Sequence, residues 1–300
     1  MPPERSRLHP LTEGVETAFV HDLLSRTNFP SALTHVNLAV SGGADSMAML
    51  ALAVRASLKV TAFHVDHGLR PGSADEGELV KILCQSLGVN FVQLRADLAD
   101  GPNLEARARQ ARRALLPPDV LTGHTADDQA ETVLLNLMRG SSTDGLSGMR
   151  WSHSKPLLAL RRSETRRLCR EVGINFVEDP TNSDARFRRN RVRNELLPLM
   201  NEIAQRDVAA LVARESRLVA DDEDFLQFLA EAIDVHDAPQ LAAAPLPLAR
   251  RAIRGWLENP YPPDAATIDR VLDVARGVHP GCEIGGGRRV IRSRQRLRLE

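Results

Sequence analysis

Residues 37–46 read Asn-Leu-Ala-Val-Ser-Gly-Gly-Ala-Asp-Ser, an apolar strand running into a glycine turn, with a helical stretch at 47–54 beyond it. Such a junction can bind phosphate. Gly42 and Gly43 let the backbone turn tightly and present bare N–H groups to an anion. The helix that follows adds its positive N-terminal end. Ser41 and Ser46 supply hydroxyls, and Asp45 could hold a divalent metal beside the phosphates. A plain strand–turn–helix junction, with Gly-Gly as the turn and Asp-Ser as an N-cap, uses the same residue types. No Gly-Lys-Ser/Thr follows, so this is not a Walker loop, and the third glycine of a dinucleotide fingerprint is absent.

Outward from this loop, short apolar runs alternate with helical stretches. Strands are expected at 36–40, 58–65, 90–94 and 120–123, and helices at 12–26, 47–54, 74–87, 104–115 and 127–138. The alternation predicts an α/β fold with a doubly wound, mainly parallel sheet. Ligands of such sheets sit at the carboxyl ends of the strands. The loops at 41–46, 64–70 and 123–128 should therefore face one crevice. After Met200 the pattern changes to long helix over 202–233, Pro-rich joints, a helix at 265–276, and a terminal hairpin around Gly285-Gly286-Gly287. The expected organisation is a catalytic domain over 1–200 and a smaller, mainly helical domain over 201–300.

Composition agrees with an ordinary soluble chain: 43% apolar, 26% charged, formal net charge zero. No apolar run reaches membrane-spanning length, and Met-Pro-Pro-Glu-Arg opens the chain without a hydrophobic signal region. Cys84, Cys169 and Cys282 are far apart, with no Cys-x-x-Cys pair. That pattern points to a reducing compartment, the cytoplasm, and away from a thiolate metal site. Arginines crowd two places, 186–193 and 288–298. Either set is a candidate phosphate-contact surface or simply a solvated face.

Two further groups carry chemistry. His64 and Asp66 lie on one side of the second strand, with His67 opening its loop. Such density can be a metal pair, an acid–base pair or a polar strand end; at the carboxyl edge of a parallel sheet it favours a site, though not metal ligands. In Gly123-His124-Thr125-Ala126-Asp127-Asp128-Gln129-Ala130-Glu131, the residues His124, Asp128 and Glu131 fall about one turn apart at a helix start. Helix capping by Thr125 and the acids explains one or two of these residues but not all three. Two carboxylates and an imidazole can hold an ammonium group or orient an amine for attack. Further on, Arg189, Asn190 and Arg193 could contact phosphates or bases; the alternative is an arginine-rich solvated helix.

The string Ser-Gly-Gly-x-Asp-Ser resembles the PP-loop of the ATP pyrophosphatase family. Taken with His-Val-Asp-His-Gly-Leu-Arg, Asp-Asp-Gln-Ala-Glu-Thr, Lys155-Pro156-Leu157-Leu158 and Arg-Asn-Arg-Val-Arg, it makes the chain similar to the tRNA(Ile)-lysidine synthetases across residues 35–200. The likeness is to the short form, without the extra C-terminal domain. It implies ATP and Mg²⁺ as cofactors, and L-lysine and a tRNA(Ile) with a CAU anticodon as partners, with no membrane. A homodimer is left open. It implies that Ser41, Gly42, Gly43, Ala44, Asp45 and Ser46 bind the ATP phosphates, with Asp45 near the metal. His64 and Asp66 would line the nucleotide pocket, and His124, Asp128 and Glu131 would recognise lysine. Asp45, Asp128 and Glu131 are the catalytic candidates, and Arg189, Asn190 and Arg193 the RNA contacts. One departure stands out. The 105–113 segment matches an Arg-x-x-Arg-Tyr motif through Arg109 and Arg112, but Arg113 stands where tyrosine is usual. Other PP-loop chemistries, tRNA thiolation or amide synthesis, lack either placed cysteines or a use for the arginine block. A non-catalytic nucleotide-binding adaptor would have no need of the acid cluster.

Overall fold

A computed structural model of the protein describes residues 17–66, 73–96, 104–178 and 184–300, apart from the side chains of residues 73, 74, 104–106, 108, 109 and 112. Two compact units divide the chain, Met1–Arg217 and Leu218–Glu300. His67 to Arg70, Thr181 and Asn182, and the side chains of Arg109 and Arg112 lie outside the described residues.

In the first unit the order is α1 (Thr17–Arg26), β1 (His35–Ala39), α2 (Ala44–Arg55), β2 (Lys59–Asp66), α3 (Ser73–Leu87), β3 (Asn90–Arg95), α4 (Leu104–Leu115), β4 (Leu121–Thr122), α5 (Ala126–Met138), α6 (Thr143–Leu146), α7 (Arg162–Glu171), α8 (Arg188–Arg191), a π-helical turn over Val192–Leu196, α9 (Leu197–Ala204) and α10 (Val208–Glu231), within which the unit boundary falls. The strands form a parallel sheet in the order β3-β2-β1-β4. Helical crossovers make that possible, since parallel neighbours cannot be joined by a tight turn. The chain builds outward from β1 to β3, then returns past β1 to place β4 on its other side. Strand order reverses between β1 and β4, and a crevice opens at the carboxyl ends of such a pair.

Helix α2 is buried on nearly every side: Met47, Ala48, Met49, Leu50, Leu52 and Ala53 join Leu38, Ala62, Leu157, Leu160 and Leu168 in one core. Burying a leucine or methionine of this kind contributes about 1.5–3 kcal/mol. Helix α7 packs against α2, and the Cys169 thiol contacts the Ala44 carbonyl at 3.4 Å. Together with the contacts of Arg162 and Thr165 to Asp45, this lays α7 along the start of α2.

Several elements differ from the sequence expectation. Helix α2 begins at Ala44, three residues earlier than the periodicity suggested, with Gly43 as N-cap. Asp45 and Ser46 therefore stand in the first helical turn. Helix α7 was not anticipated. The stretch expected as one helix over 202–233 breaks where Gln205 adopts a left-handed φ of 51°. In the second unit, α11 (Ala238–Ala243), α12 (Leu246–Trp256) and α13 (Ala265–Arg276) precede a sheet of β5 (Gly281–Gly285), β6 (Arg288–Ser293) and β7 (Arg296–Leu299). The expected hairpin gains a third antiparallel strand, with Val290 facing Leu299 and Ile291 facing Arg298 in register. Leu241, Ile253, Ile268, Val271, Leu272, Val290 and Leu297 form this unit's core. Among the described residues no helix is long and apolar enough to cross a membrane.

Candidate active site

At the end of β1 the chain turns through Gly42, whose φ of +85° is strained for any residue with a Cβ. The Ser41 N–H donates to Ser46 Oγ (3.1 Å), and Ser46 Oγ–H donates to the Gly43 carbonyl (2.9 Å). Ser46 thus braces the loop from within, while the Val177 N–H ties Gly42 O to the neighbouring segment at 2.9 Å. The first-turn N–H groups of α2 lack intrahelical acceptors. Ser41, Gly43, Ala44, Asp45 and Ser46 line a cavity of about 440 Å³, in the size range of small-molecule sites. Phe63, His64, Thr122, Gly123, His124, Asp128, Arg162, Phe176 and Arg193 share its walls.

Gly123 holds the two halves of this cavity together. A Cβ there would stand 3.0 Å from Asp45 O and 3.1 Å from Ser46 N, both backbone atoms. Gly123→Ala should therefore push β4 from the start of α2. We expect a stability loss of about 1–3 kcal/mol with weakened ATP-analogue binding, measured by thermal melting and calorimetry. A variant that melts and binds like the wild type would show that the contact relaxes freely.

The acids at the start of α5 have distinct jobs. Asp127 accepts the Arg161 fork (Nε 3.0 Å, Nη2 2.8 Å) and the Arg162 N–H (2.8 Å), so it joins α5 to α7. Asp128 Oδ2 accepts from the Thr125 N–H at 2.9 Å and hydroxyl at 3.0 Å, which is the capping role. Its other oxygen faces Arg162 Nη2 at 2.9 Å and Arg189 Nη2 at 3.2 Å. Glu131 takes no part in capping. Its side chain is 0% exposed and accepts from Arg189 Nε (2.6 Å), Arg193 Nε (2.7 Å) and Arg162 Nη1 (3.1 Å).

Electrostatics separate the carboxylates. Burial would raise the Asp128 carboxyl, but Arg162, Arg189 and the Thr125 N–H hold it below the ordinary range. Asp127 is likewise held low, burial being outweighed by the Arg161 and Arg162 contacts. Asp45 behaves oppositely: burial pushes it up to about 6, against the Thr165 hydroxyl bond and the Arg162 charge. Burial opposes the Arg162 charge too, yet Asp128, Glu131 and Asp45 raise its pKa.

The structure brings Ser41, Gly43, Ala44, Asp45, Ser46, His64, His124, Asp128 and Arg193 onto one cavity. Gly42 shapes the turn behind it. His64 is buried, its Nδ1 2.9 Å from the Val40 carbonyl. Asp66 closes β2 and is not on the cavity wall. Glu131, behind the wall, is reached through its arginines. Arg189 and Arg193 point at the acid cluster rather than into solvent, and Asn190 is buried with its amide donating to the Asp184 carbonyl at 3.0 Å. Sequence reading missed Arg161, Arg162 and Thr165. Two arginines at a helix start run against the helix dipole, and that mismatch was the available signal that anions wait nearby.

Among the described residues no group of three or more His, Cys, Asp or Glu is arranged to hold a metal. A Mg²⁺ here fits a different arrangement, one carboxylate plus substrate phosphates. Asp45, buried and reluctant to ionise beside the cradle, is a carboxylate that a cation would relieve. Thiol chemistry fits poorly: Cys84 and Cys169 are buried, which pushes their thiols up to about 11 and about 12.

Comparison with known proteins shows what the chain is similar to. Residues 16–200 match the PP-loop domain family, and residues 237–298 match the TilS substrate-binding domain. The chain is 40% identical to a tRNA(Ile)-lysidine synthase of Nocardia farcinica, with 91% of this chain and 93% of that protein covered. A tRNA(Ile)-lysidine synthase of Rhodococcus erythropolis is 39% identical, with 88% of each chain covered. Among solved structures, a U34-tRNA thiolase from Methanococcus maripaludis superposes with a TM-score of 0.54 at 15% identity, over 71% of this chain and 84% of that one. That likeness concerns the fold alone. The matched domains and the full-length relatives together show that the chain belongs to the tRNA(Ile)-lysidine synthase family, PP-loop enzymes that form carbon–nitrogen bonds.

Proposed function

We propose that the protein joins L-lysine to C2 of the wobble cytidine of a tRNA(Ile) with a CAU anticodon, in two steps in one cavity. The cytosine C2 carbonyl oxygen attacks the α-phosphorus of ATP, releasing pyrophosphate and leaving an adenylated cytidine. The lysine ε-amine, having lost a proton, then attacks C2 and expels AMP. The observation that carries this reading is the single cavity that joins a phosphate cradle, Ser41–Ser46, to a carboxylate cluster.

Backbone N–H groups of the turn and α2 would hold the pyrophosphate end of ATP. Mg²⁺, held by Asp45 and the phosphates, would neutralise charge that builds on the leaving pyrophosphate. His64 would shape the nucleotide pocket from β2, and Asp66 would support it from the strand end. The substrate ammonium matches Asp128 and His124 at the cavity wall, with Glu131 anchoring the arginines behind. A desolvated ammonium needs a carboxylate partner, which Asp128 supplies, and the His124 imidazole beside it could take up the proton the amine must lose. Arg193, on the wall but held by Glu131, would contribute positive charge toward a substrate phosphate, while Arg189 and Asn190 would support the RNA-facing segment.

Radiolabelled lysine should enter tRNA bearing a CAU anticodon when ATP is supplied, and no other tRNA. No incorporation into that transcript would end the proposal. Asp128→Asn keeps side-chain size and separates the steps. We expect pyrophosphate release to persist within about tenfold while lysine transfer falls by roughly 10² or more. Equal loss of both would remove Asp128 from the lysine step.

A further inference from the structure

Arg162 has a position that the reaction outlined above does not yet use. It begins α7, lines the cavity, and sends its three donor nitrogens to three different carboxylates. Nε faces Asp45 Oδ2 at 3.4 Å, Nη2 faces Asp128 Oδ1 at 2.9 Å, and Nη1 faces Glu131 Oε1 at 3.1 Å. Asp45 belongs to the phosphate cradle, whereas Asp128 and Glu131 belong to the acid cluster. One guanidinium therefore spans the nucleotide half and the amine half of the site.

Charge counting gives this bridge a consequence. Asp45, Asp128 and Glu131 face Arg162, Arg189 and Arg193, so the cluster is balanced without any ligand. A lysine ammonium entering as well would be a fourth cation for three anions, with its own charge taken out of water. Burying an unpaired charge is expensive, so the ammonium must exchange with a cation already present. Arg189 and Arg193 are anchored by close contacts to Glu131, at 2.6 and 2.7 Å. Arg162 holds its carboxylates at longer distances and already touches the residue beside which phosphates would bind. A guanidinium fork also favours phosphate oxygens.

We propose that Arg162 couples the two half-sites: without nucleotide it occupies Asp128, the carboxylate meant for the substrate ammonium, and nucleotide phosphates draw it off. Arg162 is then a positioning residue that makes lysine binding follow nucleotide binding. This rests on the assignment of the acid cluster to lysine. Coupling between two ligands is reciprocal, so lysine must tighten nucleotide binding by the same factor.

The test is equilibrium dialysis of radiolabelled L-lysine against the full chain, with and without Mg²⁺ and α,β-methylene ATP. The wild type should bind lysine about tenfold tighter with the analogue present, and the analogue tighter with lysine by an equal factor. R162Q should bind lysine without nucleotide more tightly than the wild type does, and the analogue should no longer alter its affinity. A merely structural arginine predicts the opposite sign, weaker lysine binding in the variant. That result, or a wild-type affinity indifferent to the analogue, overturns the coupling. If R162Q fails to fold, R162K keeps the charge but not the three-way fork, and it should show smaller coupling than the wild type; equal coupling counts against the proposal. Wild-type protein that binds no lysine with analogue and tRNA present overturns the lysine assignment itself, and the coupling with it.

Discussion

Glu131→Gln will cost the first unit about 3 kcal/mol of stability and remove lysine transfer, although the substitution changes almost no volume. The Glu131 side chain is fully buried and accepts charge-assisted hydrogen bonds from Arg162, Arg189 and Arg193. Glutamine offers one carbonyl oxygen and an NH₂ that points donor to donor at a guanidinium. Three cations would then face only Asp45 and Asp128. Breaking a buried pair from one side is far costlier than never having built it. Arg189 and Arg193 are partly exposed and can turn toward water, so the loss should fall at the lower end of the range for a buried ion pair. Urea unfolding followed by fluorescence should show a lowered midpoint with little change in slope. A midpoint within experimental error of the wild type would mean that the arginines are held by something other than Glu131. Pairing the change with Arg189→Gln should restore part of the loss, because it removes one of the stranded cations.

That cluster also shows where sequence reading works and where it stops. The cradle was legible because its logic is local: a strand, two glycines and a helix within ten residues dictate a turn with exposed N–H groups. Asp128 and Glu131 were legible because helix periodicity sets them one turn apart at the start of α5, with His124 just ahead of its N-cap. Their partners were not. Arg162 meets Asp45 across 117 positions of sequence, and no local period encodes such a contact. In a chain where arginine is common, Arg189 and Arg193 read as outward phosphate ligands, since a charge pattern states the sign of a side chain and not its direction. The left-handed break at Gln205 carries no glycine to announce it. Strand β7 is a different case. Arg296-Leu297-Arg298-Leu299 alternates with period two, the mark of a half-buried strand, and its arginines drew attention to charge instead of period.

Asp45→Asn should reduce adenylation by about 10³ or more while making the ligand-free protein more stable at neutral pH. The two effects share one cause. Asp45 is buried beside the phosphate cradle, and that burial lifts its pKa from the ordinary 3.8 to about 6. Because the folded value lies above the unfolded one, the folded state holds the proton more readily. The associated stability is fully present below pH 4 and is lost as pH rises through about 6. The gap corresponds to roughly 3 kcal/mol of strain at pH 7, which the enzyme carries to keep an anion where a cation and phosphates must bind. Asparagine is neutral at every pH and can still accept from Thr165, so that strain disappears, though the Arg162 contact weakens. We expect the metal-free variant to exceed the wild type by about 1–2 kcal/mol at pH 7.5 and the two to converge near pH 4.5. Thermal melts across that pH range, beside pyrophosphate release with ATP and tRNA, measure both halves. A variant destabilised at pH 7.5 would show that Arg162 and Thr165 already hold the Asp45 charge at no net cost. A variant that still releases pyrophosphate at the wild-type rate would take Asp45 out of the adenylation step, since no other carboxylate lines the cradle at the first turn of α2.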